Sequence, residues 1–244
     1  MLKYKKWVAV FDNHGDCVDR NAEKVTFEFI KHFKPEIRIH GGDAFDFRAL
    51  RRKATDEEKQ SGIEEDYNEG MSYLQRLNPQ VFLRGNHDER LYDAANFGTN
   101  GVLRDLCGKL ADEIKTKLSH VEILPYDKRK GVYALGNLKV IHGYNTGITA
   151  ARQAAMAYGS VIMGHVHAND FFSVPSLEPR RGWAIGCQCR LDMDYNRGQL
   201  NTLRQSHGFA YGLVYPSGSF RLWQAEEIGG QWVFPSEFYS LGGK

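Results

Sequence analysis

Five short strand-like runs in this chain, apolar or alternating, lead straight into side chains that can bind a cation or move a proton. Residues 7–11 lead to Asp12 and His14, and residues 37–39 lead through His40-Gly41-Gly42 to Asp43, with Asp46 three positions on. Residues 81–83 lead through Gly85 to Asn86 and His87. Residues 138–141 lead to His142, and residues 161–163 lead through Gly164 to His165 and His167. The donors are carboxylates, an amide oxygen and imidazoles. Carboxylate and amide oxygens suit hard divalent ions, and imidazole suits transition metals. About seven such groups are too many for one tetrahedral zinc and about right for two ions that share a ligand. Two ions about 4 Å apart can clamp the attacking and leaving oxygens of a displacement at phosphorus. The donor set therefore points to a dinuclear hydrolase of a phosphate ester. Donor types alone also allow a dinuclear amide hydrolase.

Such a site needs strands that finish at these residues, because α/β sheets collect their ligands outside the carboxyl ends of strands. The apolar runs supply those strands. Between them the periodicity changes: Ala22, Val25, Phe29, Ile30 and Phe33 recur at helical spacing, so residues 21–33 form an amphipathic helix that Pro35 closes. Residues 56–77, 101–118 and 148–158 read as further helices, and 121–126 and 131–136 as short strands. The two histidines of Gly164-His165-Val166-His167 have the two-residue period of a strand, so both imidazoles are expected to point the same way. Strand-like runs at 171–174, 183–189, 209–215 and 220–224 follow, with Pro216-Ser217-Gly218 as a hairpin turn. Arg48, Arg51, Arg52 and Lys53 read as a solvated helix face, with a basic rim that meets phosphates as the alternative. Without repeats or a linker, residues 1–244 read as one domain, with the part from about 170 to 244 supplying antiparallel strands of a second sheet.

Composition narrows the class. Hydrophobic residues make up 42% and charged residues 25%, as in ordinary globular proteins. A net charge of +2 announces no nucleic-acid or membrane partner. No apolar stretch approaches the roughly 18 residues that span a bilayer, and the apolar run before Asp12 is too short for a secretory signal. Four scattered cysteines make no disulfide framework, so a reduced, cytoplasmic chain is expected. Cys187 and Cys189 have no second pair or neighbouring histidine in sequence and read as buried thiols.

The ordered set D-x-H, G-D-x-x-D, G-N-H-D, a lone H and G-H-x-H, from Asp12 to His167, resembles the calcineurin-like metallophosphoesterase superfamily. It covers about two-thirds of the chain, and the impression is of a small stand-alone member of phage or bacterial type. The resemblance implies an α/β (α+β) fold: a four-layer sandwich of two facing mixed β-sheets flanked by helices, with a dinuclear metal site at the strand ends. It implies that Asp12, His14 and His167 hold one ion, that Asn86, His142 and His165 hold the other, and that Asp43 bridges them. A hydroxide between the ions would attack phosphorus in line. His87 would protonate the leaving oxygen or stabilise the transition state, and Asp46 would fix its tautomer. Manganese is the first expectation for the ions, with iron, zinc or magnesium as alternatives.

The sequence departs from the phosphoprotein phosphatase branch at two places. Phe47 stands where that branch has its phosphate-gripping arginine, which here comes one residue later as Arg48. The fourth block ends in Asp88 rather than Glu. Both differences argue against a Ser/Thr protein phosphatase. A phosphodiesterase acting on DNA, RNA or a nucleotide is the expectation, with Arg48 and Arg90 binding substrate. Arg48, Arg51, Arg52, Lys53, Arg84 and Arg90 would form a phosphate-binding wall if they line one side of the cleft. A small-molecule phosphomonoesterase is the alternative, and a non-catalytic scaffold comes third, since no ligand position is missing.

Overall fold

A computed structural model describes residues 3–192 and 200–234. Its centre is a seven-stranded sheet in the order β12-β11-β10-β1-β2-β3-β4. Strands β1 (Lys5–Val10), β2 (Ile37–His40), β3 (Val81–Leu83) and β4 (Glu122–Leu124) run parallel, pairing Trp7 with Ile37, Ile39 with Val81 and Val81 with Glu122. The second sheet has the order β5-β6-β7-β9-β8. It comprises β5 (Tyr133–Leu135), β6 (Leu138–Ile141), β7 (Val161–Met163), β8 (Asp170–Val174) and β9 (Arg180–Ala184). Strands β6, β7 and β9 are parallel, and β5 and β8 pair antiparallel at its edges.

Side-chain alternation in β1 decides how the layers stack. Trp7, Ala9 and Phe11 project into a core shared with Leu138, Val140, Ile162 and Trp183, so the two sheets face each other. Val8 and Val10 project the opposite way, against Phe27, Phe29, Ile30 and Phe33 of α1 (Arg20–Phe33). Helices α3 (Glu64–Leu77), α4 (Asn86–Phe97) and α5 (Gly101–Lys117) close over Phe82 and Val121, and the short α2 spans Asp56–Gln60. The alanine face of α6 (Ala150–Tyr158) covers Ile141, Val161 and Met163 on the outer side of the second sheet. The result is helix, sheet, sheet, helix, the layering implied by the resemblance. Among the described residues, no helix is long and apolar enough to cross a membrane.

Two expectations need correction. The strands after residue 170 do not all join the second sheet. Among the described residues only β8 and β9 do, and β9 is parallel to β7. Strands β10 (Gly208–Val214), β11 (Phe220–Ile228) and β12 (Gln231–Val233) extend the first sheet antiparallel from the edge of β1 that β2 leaves open. Phe209 and Tyr211 of β10 then meet α1 while Ala210 faces the inter-sheet core, which continues the two faces of β1. Residues 235–244, included in that expectation, lie outside the described residues. The second correction is α4, which begins at Asn86 in a stretch that reads as a strand followed by a ligand loop. Its start carries no side-chain N-cap from Gly85; Asp88 instead accepts the Gly85 N–H at 2.7 Å.

Candidate metal centre

The loops after β1, β2, β3, β6 and β7 meet at one rim, tied by backbone hydrogen bonds. Asp12 N donates to Gly42 O at 3.0 Å, His14 N to Asp43 O at 3.0 Å, and Gly164 N to His142 O at 2.9 Å. The backbone there is strained. Among the described residues, eight non-glycine residues have positive φ, and five of them are Asp12, His14, Asp43, His165 and His167. Left-handed backbone at non-glycine positions costs on the order of 1–3 kcal/mol each and persists where surrounding structure over-determines it. Here the curl turns each side chain back toward the rim. Two glycines are required by close approach. A Cβ on Gly42 would fall 2.4 Å from His142 Nδ1, and one on Gly85 would fall 2.1 Å from Asp43 Oδ1.

Asp43 lies at the middle of the donors. Its Oδ2 is 3.2 Å from His142 Nε2 and 3.8 Å from His14 Nε2, so one carboxylate oxygen addresses both sides. On one side His14 Nε2 and His167 Nε2 face each other at 3.2 Å, with Asp12 Oδ1 3.8 Å from His167 Nε2. On the other, His142 Nε2 is 3.1 Å from Asn86 Oδ1, and donor atoms of Asp43, His142 and His165 all lie within 4.8 Å of one another. Three observations suit this set to cations. Asp12 Oδ1 is buried without a hydrogen-bond partner, although burying a bare carboxylate oxygen is costly. His142 Nδ1 lies 3.1 Å from Gly41 O, so the donating nitrogen faces a carbonyl and Nε2 is left as the ligand atom. Burial opposes charge on His142 and His167, yet Asp43 and Asp12 beside the first, and Cys187 and Asp12 beside the second, raise each to about 9. Such anionic surroundings hold a proton where a divalent ion would serve as well.

His165 and His167 do not lie on a strand. Strand β7 ends at Met163, and both histidines adopt left-handed backbone, with φ of 68° and 53°. Their imidazoles diverge: His165 joins Asp43 and His142, while His167 joins His14. The reason is local. A bound Asp12 Oδ2 accepts the His165 N–H at 2.9 Å and bends the chain out of sheet geometry.

His87 and Asp46 stand beside the donor cluster. His87 Nδ1 is 2.5 Å from Asp46 Oδ1, which also lies 3.2 Å from His14 Nδ1, so one carboxylate orients two imidazoles. Arg90 donates from Nη2 to His87 Nε2 at 3.1 Å and from Nη1 to Asp46 O at 2.8 Å. Because arginine only donates, His87 Nε2 is the accepting nitrogen and Nδ1 carries the proton. Burial keeps His87 below the ordinary imidazole range, consistent with a neutral ring.

The basic wall is less free than its sequence suggests. Arg48 is gripped by Asp46 through Nε at 3.0 Å, by both oxygens of Asp16, and by Cys17 Sγ at 2.8 Å. Arg51 pairs with Glu58, and Arg84 pairs with Glu89 and stacks on Tyr92. Arg52 and Lys53 are exposed, and Arg90 alone of the six touches His87.

Two buried carboxylates escaped the sequence reading. Asp88 accepts N–H bonds from Asp43 at 2.7 Å, Gly85 at 2.7 Å and Phe45 at 3.0 Å, locking the Asp43 and Asn86 loops together. Asp66, on α3, accepts from Asp46 N at 2.9 Å and from Phe47 N. The signal for Asp88 was its place in G-N-H-D. Asp66 had none, since it sits in an acidic helix among similar residues.

No family model and no curated protein matches the chain. Solved structures do align with it over most of its length. A metallophosphoesterase from Sphaerobacter thermophilus covers 93% of this chain and 89% of its own, at 14% identity and a TM-score of 0.48. Vacuolar protein sorting 29 from Cryptosporidium parvum covers 94% and 95% at 9% identity and a TM-score of 0.44. YfcE, a phosphoesterase from E. coli, covers 90% and 97% at 15% identity and a TM-score of 0.39. Identities and scores this low decide nothing about activity or substrate.

Proposed function

We propose that this chain is a metal-dependent phosphoesterase of the calcineurin-like metallophosphoesterase superfamily that hydrolyses a phosphodiester in a nucleic acid or nucleotide. The observation that carries the reading is Asp43 Oδ2, set between His142 Nε2 and His14 Nε2 with a donor group on each side. Asp12, His14 and His167 would hold one divalent ion and Asn86, His142 and His165 the other, with Asp43 shared. When bound, such ions supply Lewis acidity and lower the pKa of water toward 7. The nitrogen and oxygen donors accept manganese, iron, zinc or magnesium.

The chain's own groups do the rest. Arg90 and His87 form a pair on the open side of the donors. Arg90 would turn its guanidinium from His87 Nε2 to a phosphoryl oxygen, which frees that nitrogen to take up a proton from solvent and, as the imidazolium, to hand it to the leaving oxygen. Asp46 holds the Nδ1 proton and would stabilise the imidazolium while Nε2 gains and loses its own. Arg48, already bound to two carboxylates, would set the height of Asp46 rather than grip substrate.

A second reading, a phosphomonoesterase on a small molecule, is favoured by the internal pairing of Arg48, Arg51 and Arg84, which leaves little free positive charge for a polyanion. Hydrolysis of bis-p-nitrophenyl phosphate and p-nitrophenyl phosphate with added manganese separates the two. A diester preference lost in His87→Ala and Asp43→Asn is the expected result. A monoester preference selects the second reading, and no turnover of either with metal bound returns the scaffold.

A further inference from the structure

Behind His167 lies a cluster of three buried thiols, Cys17, Cys187 and Cys189, in reduced form. Their place is built into the fold. Gln188 N donates to Asp12 O at 3.1 Å, Asp19 N to Gln188 O at 2.8 Å, and Arg190 N to Cys17 O at 2.8 Å. The Gln188 side chain pins the segment further, accepting from Thr26 Oγ1 at 2.8 Å and donating to Gly208 O at 2.9 Å. These bonds fix the segment around Cys189 against the end of β1, next to Asp12 and His14. Cys189 is wholly buried, and its Sγ is 3.8 Å from His167 Nδ1. Donor atoms of His14, His167 and Cys189 all fall within 4.8 Å of one another. Around one zinc-sized ion, nitrogen and sulfur donors stand about 3–4 Å apart. The 3.2 Å between the two Nε2 atoms already meets that spacing, whereas the sulfur, 3.8 Å from Nδ1 of His167, must move toward the Nε2 side to join them. Asp12 Oδ1, buried and unpartnered 3.8 Å from His167 Nε2, points into the same space.

We propose that Cys189 is a sulfur donor to the ion held by Asp12, His14 and His167, making this one position selective for a thiophilic ion. Zinc, ferrous iron or cobalt would then be preferred there over manganese or magnesium, because thiolate is a soft ligand that hard ions bind poorly. On coordination the thiol gives its proton to solvent. The group of Asp43, His142 and His165 at the other position includes no cysteine among the described residues and offers nitrogen and oxygen donors. The two positions therefore differ in chemistry, and the centre is heterodinuclear by construction. This inference rests on the two-ion reading above.

The test is cobalt titration of the full chain followed by absorption spectroscopy and metal analysis. The wild type is expected to bind two equivalents and to show a near-ultraviolet sulfur-to-cobalt charge-transfer band. Cys189→Ser should lose that band and weaken zinc binding at one position by about 10–100-fold, with the second equivalent unchanged. Cys187→Ser and Cys107→Ser should keep the band and show that removing a buried thiol does not itself unfold the chain. Two bound equivalents without the band in the wild type would overturn the sulfur ligand while leaving the two-ion centre intact. A band lost in Cys187→Ser and kept in Cys189→Ser would overturn the assignment to Cys189. Failure of the wild type to bind cobalt at all would remove the two-ion reading, and the sulfur ligand with it.

Discussion

Replacing Gly85 by alanine tests whether Asp43 is held where the centre needs it. The backbone at Gly85 has φ −95° and ψ −176°, which alanine adopts freely, so conformational strain is not at issue. The difficulty is space. The new Cβ would sit 2.1 Å from Asp43 Oδ1 and 2.6 Å from Asp43 N, where ordinary contact begins at 3.4 Å. The carboxylate must retreat by about 1.3 Å, the difference between 3.4 and 2.1 Å. That retreat breaks the 2.7 Å bond from His87 N to Asp43 Oδ1. Overpacking costs about 1–3 kcal/mol and losing a charged hydrogen bond about 1.5–3 kcal/mol, so a loss of about 3–5 kcal/mol is expected. A misplacement of about 1 Å in a reacting array can lower turnover about 10²-fold. Urea unfolding, calorimetric titration with manganese and turnover of bis-p-nitrophenyl phosphate read the three effects. Gly108→Ala is the control: it lies inside α5 with nothing within 4 Å of its added Cβ, and it should stabilise by about 1 kcal/mol without touching metal affinity. If Gly85→Ala folds with unchanged metal affinity and turnover, Asp43 is not the shared ligand and the reasoning fails.

Two further outcomes follow from buried groups around the centre. Burial lifts the Asp66 carboxyl to about 6 from 3.8, against the N–H bonds it accepts from Asp46 and Phe47. A pKa raised by folding contributes stability that is complete below the unfolded value and lost as pH rises through the folded one. Wild-type stability relative to Asp66→Asn should therefore fall by on the order of 3 kcal/mol across that interval, measured by urea unfolding on either side of it. Arg90 and Arg48 should separate cleanly. Arg90→Ala is expected to lower kcat/KM on the order of 10²-fold with little loss of stability, whereas Arg48→Ala, which strands Asp16 and Asp46, should lower the melting temperature first. Equal effects of the two on kcat/KM, with no change in melting, would place both on the substrate.

Much of this protein could be read from short-range pattern alone. The apolar runs, the helical spacing from Ala22 to Phe33 and the glycines before Asp43, Asn86 and His165 are local features. They located the strands and the polar residues at their ends, because backbone periodicity and turn chemistry act over a few residues. The list of candidate donors was legible for the same reason. What no short-range pattern could decide is which donors stand together; the grouping into two sets came only from the resemblance. His14 and His167 meet across 153 positions, and His142 meets Asn86 across 56, distances over which no periodicity operates. Only the stacking of two sheets brings them together. The divergence of His165 and His167 came from Asp12 bending a loop that looked like a strand. The pairing of Arg48 with Asp16 and the arrival of Cys189 behind His167 are likewise products of packing. A residue's type sets the chemistry it can do, and that is written in the sequence. Its partners depend on which faces are buried together, and that only the tertiary structure decides.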